Sequence, residues 1–131
     1  MLQWVNQMAD KKRILIVDDQ KDVTEPLKFY LEKAGYEVRA EYTGKGALSA
    51  TKAFMPNLIL LDIVMPDVDG GDVASEIRED ATVKVVPIVF LTAAVTKEEV
   101  DAQGGVVGGK PILSKLTKLS TLVECIELYL R

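Results

Sequence analysis

Histidine is absent from this chain of 131 residues. That removes Ser-His and Cys-His nucleophilic pairs and every histidine metal site. Cysteine occurs once, so no internal disulfide can form, and Cys125 lies in a helix-periodic segment as a small core residue. No apolar run approaches the roughly 20 residues that a membrane span needs. The N-terminus has no pattern of basic flank, apolar core and small-residue cleavage site. With one cysteine and no export pattern, the expected setting is the reducing cytoplasm. Basic charge is also short: the net charge is -4, which argues against direct binding to a phosphate backbone. What remains for chemistry is carboxylate, lysine and hydroxyl.

What is present is an alternation. Ile14 to Val17 is continuously apolar, as a parallel strand covered on both faces would be. Asp22 and Glu25 have capping-box spacing, and Val23, Leu27, Tyr30, Leu31 and Ala34 recur at helical spacing up to Gly35. Tyr36 to Tyr42 alternates as a second strand, and a helix over 43–55 stops at Pro56. "NLILLD" (57–62) and "VPIVFLT" (86–92) are further buried strands. Between them lies a helix over 72–79, and Thr96 with Glu99 starts another. A glycine-rich stretch, "QGGVVGG", precedes a last strand over 112–115 and a helix over 117–130. Residues 1–10 read as an extension outside the fold, disordered or added upstream of a natural start at Met8, with a docked turn through Trp4, Val5 and Met8 as the alternative. Residues 11–131 read as one α/β domain. It is expected to be a single doubly wound, five-stranded parallel sheet with helices on both faces, in the flavodoxin-like order 2-1-3-4-5.

In such a sheet, ligands bind beyond the carboxyl ends of the strands. The first strand runs into Asp18 and Asp19, the third ends in Asp62, the fourth in Thr92, and the last reaches Lys115. An aspartate after a strand often only caps the next helix. That does not account for Asp62 at the end of "LILL". Three converging carboxylates call for a counter-charge, and an oxygen-only, open site suits Mg²⁺. A carboxylate can attack phosphorus to give an aspartyl phosphate, with metal, ammonium and hydroxyl spreading the transferred charge.

The stretches "ILIVDD", "LILLDIVMPDVDG", "VPIVFLTA" and "ILSKLTKLSTLVECIELYL" resemble the receiver domain of two-component response regulators, the CheY-like family. The resemblance implies that Asp62 is the phosphoacceptor, Asp19 a direct metal ligand and Asp18 a ligand through water. It implies that the Val64 backbone carbonyl completes the ligands for Mg²⁺ (or Mn²⁺) and that Thr92 binds the phosphoryl group. The donor would be a phosphohistidine on a histidine kinase or histidine phosphotransfer protein. The domain would catalyse its own phosphorylation and lose the group slowly, as a signalling domain in a phosphorelay rather than a turnover enzyme. Its output would be a downstream partner protein, self-association or onward transfer, with no direct nucleic acid and no membrane. The chain carries no effector domain after its last helix, or is a piece of a larger regulator.

Two departures stand out. The family's Lys-Pro is matched by Lys110-Pro111 as a dipeptide, but strand quality and the register to the last helix favour Lys115-Leu116. Lys115 is therefore the expected active-site lysine, with Lys110 the alternative. Ile112 stands where relatives carry a switch aromatic, or Val107 does if Lys110 is the lysine. A phosphatase built on Asp62 would want an acid at position 64, which is Val64. A flavin site would need a glycine-rich phosphate loop where this chain has "DDQKD". A receiver-like interaction module that is never phosphorylated is the remaining alternative.

Overall fold

The structure is a computed structural model that describes residues 11–107 and 109–131. The expectations for the extension, including Trp4, Val5 and Met8, lie outside the described residues. In chain order the elements are β1 (Arg13–Val17), α1 (Lys21–Lys33), β2 (Glu37–Glu41), α2 (Ala47–Phe54), β3 (Leu58–Asp62) and α3 (Gly70–Glu79), followed by β4 (Ile88–Thr92), α4 (Lys97–Ala102), β5 (Val106–Val107), β6 (Lys110–Ser114) and α5 (Leu119–Tyr129).

The sheet order is β2-β1-β3-β4-β6-β5. The first five of these are parallel neighbours, so β6 is the fifth strand of the expected 2-1-3-4-5 arrangement. The difference is β5, a two-residue strand that pairs antiparallel with β6 at the sheet edge. Its origin is local. Val106-Val107 and "KPIL" flank Gly108-Gly109, and a Gly-Gly step between apolar runs is a hairpin signal. Gly109 adopts φ 78, where a Cβ would be strained. The last strand therefore begins at Lys110 and ends at Ser114, rather than spanning 112–115.

Strand periodicity divides each apolar run between two cores. On one face Leu15, Val17, Ile59, Leu61, Ile88 and Phe90 pack against α2 and α3 through Ala47, Phe54, Val73 and Ile77. On the other face Ile14, Ile16, Leu58, Leu60, Val89 and Leu91 pack against α1 and α5 through Leu27, Leu31, Leu122 and Ile126. Each fully buried Leu or Ile contributes roughly 1.5–3 kcal/mol relative to exposure. Both faces are covered, which is why the runs show no polar alternation. Cys125 is partly buried against the second core.

One expected cap is not made. The N-cap of α1 is Gln20, without a side-chain cap, and Asp22 falls in the first helical turn, where it complements the helix dipole. The N-cap of α5 is Lys118, also without a side-chain cap. Two caps do form: Asp69 accepts from the Gly71 N–H at 2.7 Å, and Thr96 accepts from the Glu99 N–H at 3.1 Å. Met55, at φ 51, closes α2 just before Pro56.

Candidate functional site

The parallel register sets the rim of the sheet. Val17 pairs with Leu61, Asp62 with Leu91, and Thr92 with Ser114. The residues that leave these strands therefore emerge at one level: Asp18 and Asp19 from β1, Asp62 and Thr92 at the ends of β3 and β4, and Lys115 after β6. Carboxylate oxygens of Asp18, Asp19 and Asp62 all lie within 4.8 Å of one another. Asp18 and Asp62 are buried, while Asp19 reaches solvent.

Lys115 is the cation among them. Its Nζ lies 2.7 Å from Asp18 Oδ2 and 3.2 Å from Asp62 Oδ2, and its side chain is only 4% exposed. Lys110 goes elsewhere. It opens β6 at the far end of that strand, and its Nζ stands 5.4 Å from the Phe90 ring centroid. The Lys115–Leu116 peptide is trans, and Leu116 is exposed.

The acidic group is under-compensated. Asp18 Oδ2 is buried without an aligned hydrogen bond, its close neighbour being the Lys115 ammonium. Burial pushes the Asp62 carboxyl above the usual range, the Asp18 charge adds to this, and Lys115 and the Val64 N–H oppose it. Three convergent carboxylates with one ammonium keep a net negative charge. That donor set of hard oxygens, with a buried orphan oxygen, fits a small divalent cation such as Mg²⁺.

Thr92 is buried, and its Oγ1 accepts from the Ala94 N–H at 3.2 Å. The Val64 N–H donates to Asp62 Oδ1 at 3.3 Å, while the Val64 side chain is exposed. A cavity of about 230 Å³ is lined by Gln20, Asp62, Val64, Thr92, Ala93, Ala94 and Lys115. Ile112 is buried in register with Phe90. A larger groove, between α1 and β2, holds none of Asp18, Asp19 and Asp62.

Sequence reasoning missed Gln20. Its Oε1 accepts from Lys115 Nζ at 2.9 Å. The available signal was its position directly after Asp18-Asp19, on the same rim.

Over 84 residues the chain is 39% identical to ycf27 of Cyanophora paradoxa, described as a "probable transcriptional regulator". That match covers 64% of this chain and 34% of the relative, so this chain spans about a third of the relative's length. The chemotaxis protein CheY4 of Vibrio cholerae superposes with a TM-score of 0.75 at 27% identity, covering 91% of this chain and 98% of that one. The BeF3-activated N-terminal receiver domain of Klebsiella pneumoniae RstA superposes with a TM-score of 0.73 at 27% identity, covering 92% and 99%. The family model described as the response regulator receiver domain matches residues 14–127. With that match, the CheY-like sheet and the acidic rim in hand, the chain belongs to the response regulator receiver domain family, a family of signalling domains in two-component systems.

Proposed function

We propose that this domain is a phosphorylation-controlled switch in which Asp62 accepts a phosphoryl group from a phosphohistidine on a histidine kinase or histidine phosphotransfer protein. The observation that carries this reading is the convergence of Asp62, Thr92 and Lys115 around one cavity, with Asp18 against the Lys115 ammonium, from four strands.

A carboxylate oxygen of Asp62 attacks phosphorus as the phosphorus–nitrogen bond to the partner's imidazole breaks. A phosphorus–oxygen bond forms, and the imidazole, already protonated on its other ring nitrogen, takes the bonding pair and leaves neutral. Lys115 offsets charge on the transferred oxygens. Thr92 Oγ1 already accepts from Ala94, so its own proton is available to a phosphoryl oxygen. Asp18, Asp19, Asp62 and the Val64 backbone carbonyl would hold Mg²⁺ (or Mn²⁺). When bound, that ion supplies positive charge to both the carboxylates and the phosphoryl group.

The aspartyl phosphate then biases two conformations with different partner surfaces. Ile112 gives no aromatic rotation to read out, so the loop after Thr92 and the β5–β6 hairpin carry the change. The phosphoryl group is lost slowly to water, and the domain acts as a cytoplasmic switch rather than a turnover enzyme. Output goes to a downstream protein, to self-association or to onward transfer, without direct nucleic acid or membrane contact. Among the described residues no helix is long and apolar enough to cross a membrane.

Intact-protein mass spectrometry with acetyl phosphate tests this. The expected result is a Mg²⁺-dependent gain of one phosphoryl mass, absent in Asp62→Asn, impaired in Lys115→Ala and retained in Lys110→Ala. Failure to gain mass, together with failure to bind BeF3⁻ in the presence of Mg²⁺, would leave the unphosphorylated interaction module as the reading.

A further inference from the structure

Lys115 makes three contacts, and an ammonium has three N–H groups. Two contacts go to Asp18 and Asp62; the third goes to Gln20 Oε1 at 2.9 Å. Nothing about receiver chemistry requires a neutral amide there, so its placement calls for a physical account.

Gln20 is anchored from several sides. Its backbone N–H donates to Asp18 Oδ1 at 2.9 Å. Its backbone carbonyl accepts from the Thr24 N–H at 3.0 Å and the Thr24 hydroxyl at 2.9 Å, as the N-cap of α1. Its side chain makes no cap and turns to Lys115 instead. The result is a closed ring. Asp18 Oδ1 holds the Gln20 backbone, the Gln20 amide holds Lys115, and Lys115 returns to Asp18 Oδ2.

The distances show what the ring does. Asp18 and Gln20 hold the ammonium at 2.7 and 2.9 Å, while Asp62 lies further away at 3.2 Å. The ammonium is therefore shared among two carboxylates and one neutral amide oxygen. An ammonium bonds only to acceptors, which fixes the amide orientation: its oxygen faces Lys115 and its NH₂ faces away. Among the described residues that NH₂ has no partner.

We propose that Gln20 is a positioning residue of this site, drawing part of the Lys115 ammonium away from the Asp62 carboxylate so that the carboxylate stays open to phosphorus and the charge stays where the transferred group will lie. This rests on the phosphoacceptor reading of Asp62. Without the Gln20 oxygen, the ammonium is left to the two carboxylates and closes further on them, Asp62 included. The nucleophile is then partly masked. Gln20 acts on the barrier and does not bind the donor.

The test is the rate of phosphoryl gain, followed by intact mass over a series of acetyl phosphate concentrations with Mg²⁺. The proteins are the unmodified chain, Gln20→Met, Gln20→Glu, Lys115→Ala and the Gln20→Met/Lys115→Ala double variant. Gln20→Met keeps the length and removes the acceptor. It is expected to lower the maximal rate roughly threefold to tenfold, the worth of one hydrogen bond, with the half-saturating donor concentration unchanged. Gln20→Glu retains the acceptor but binds the ammonium more strongly and repels the donor, so it also slows transfer. In the Lys115→Ala background, Gln20→Met is expected to add nothing, because Gln20 acts through that lysine.

A Gln20→Met rate equal to that of the unmodified chain would overturn the inference, as would an equal slowing in the Lys115→Ala background. If the unmodified chain gains no phosphoryl mass from acetyl phosphate and also fails to bind BeF3⁻ with Mg²⁺, the phosphoacceptor reading fails and takes this inference with it.

Discussion

Lys115 Nζ lies 2.7 Å from Asp18 Oδ2, with both side chains almost fully withdrawn from water. Removing one member of a buried ion pair leaves the other charge without compensation, a loss typically of about 3–5 kcal/mol. Lys115→Met is expected to destabilise the metal-free chain by an amount of that order. Urea unfolding in EDTA measures it, and a loss below about 1 kcal/mol would show that the pair contributes little.

Asp62→Asn should have the opposite sign. Burial and the Asp18 charge raise the Asp62 carboxyl above its ordinary value, so the fold favours the protonated form. A group raised in this way costs stability as pH climbs from the unfolded carboxylate value through the folded one. Without metal, Asp62→Asn is expected to unfold at higher denaturant than the unmodified chain at neutral pH, with the difference shrinking in acid. No gain at neutral pH would mean that the like charges are already relieved.

Mg²⁺ should stabilise the unmodified chain by mass action. A ligand at one hundred times its dissociation constant adds about 2.7 kcal/mol. The expected result is a rise in Tm with Mg²⁺, reversed by EDTA and lost in Asp19→Ala. A rise that survives in Asp19→Ala would place the ion elsewhere.

Gly70 has no room for a side chain. A Cβ there would collide with the Asp62 backbone carbonyl and crowd Ile63 Cα, and the Gly70 N–H already donates to the Ile63 carbonyl at 2.8 Å. Backbone cannot swing aside as a flexible side chain can. Gly70→Ala is expected to cost about 1–3 kcal/mol and to displace Asp62, read as lower stability and slower phosphoryl gain. Gly35→Ala is the comparison: it has open space around it but a φ of 104, so its cost should fall on stability alone.

Asp80 predicts an acid limb in the stability profile. The Thr82 hydroxyl and N–H, then the Lys52 ammonium, hold its carboxyl at about 2, down from an ordinary 3.8. A depressed carboxylate contributes stability above its unfolded value and loses it as pH falls through the folded one. The contribution is therefore complete above about pH 5 and falls away as pH drops through about 2. Acid titration of Tm should show a step in that window that is absent in Asp80→Ala, and identical curves would dismiss it.

Much of the site was legible because its signals are local. "ILIVDD" and "LILLD" put charge at the end of runs too apolar for any place but a covered strand. A parallel sheet then has one rim on which those ends can meet. The β5–β6 hairpin was missed, although Val-Val followed by Gly-Gly carried the signal, because the stretch was read only as glycine-rich loop. The cap of α1 was also misplaced. Helix starts are contested locally, and Asp18 accepts the Gln20 N–H two residues on, in an Asx-type turn that brings the chain into α1 without a capping box.

The amino-acid sequence by itself determined the α/β alternation, the two-sided burial of the strands and the acids at their ends, because each follows from periodicity and charge within a few residues. Strand quality and the register to the last helix favoured Lys115 over Lys110, but the contact itself was left to the tertiary structure. Lys110 opens the strand and Lys115 follows it, and no local pattern shows which side chain touches the acids. The parallel pairing of Thr92 with Ser114 does, carrying Lys115 onto the rim and leaving Lys110 at the other end beside Phe90. Gln20 belongs to the same class: its contact spans 95 positions of chain, and long-range contacts of that kind exist only once the strands are in register.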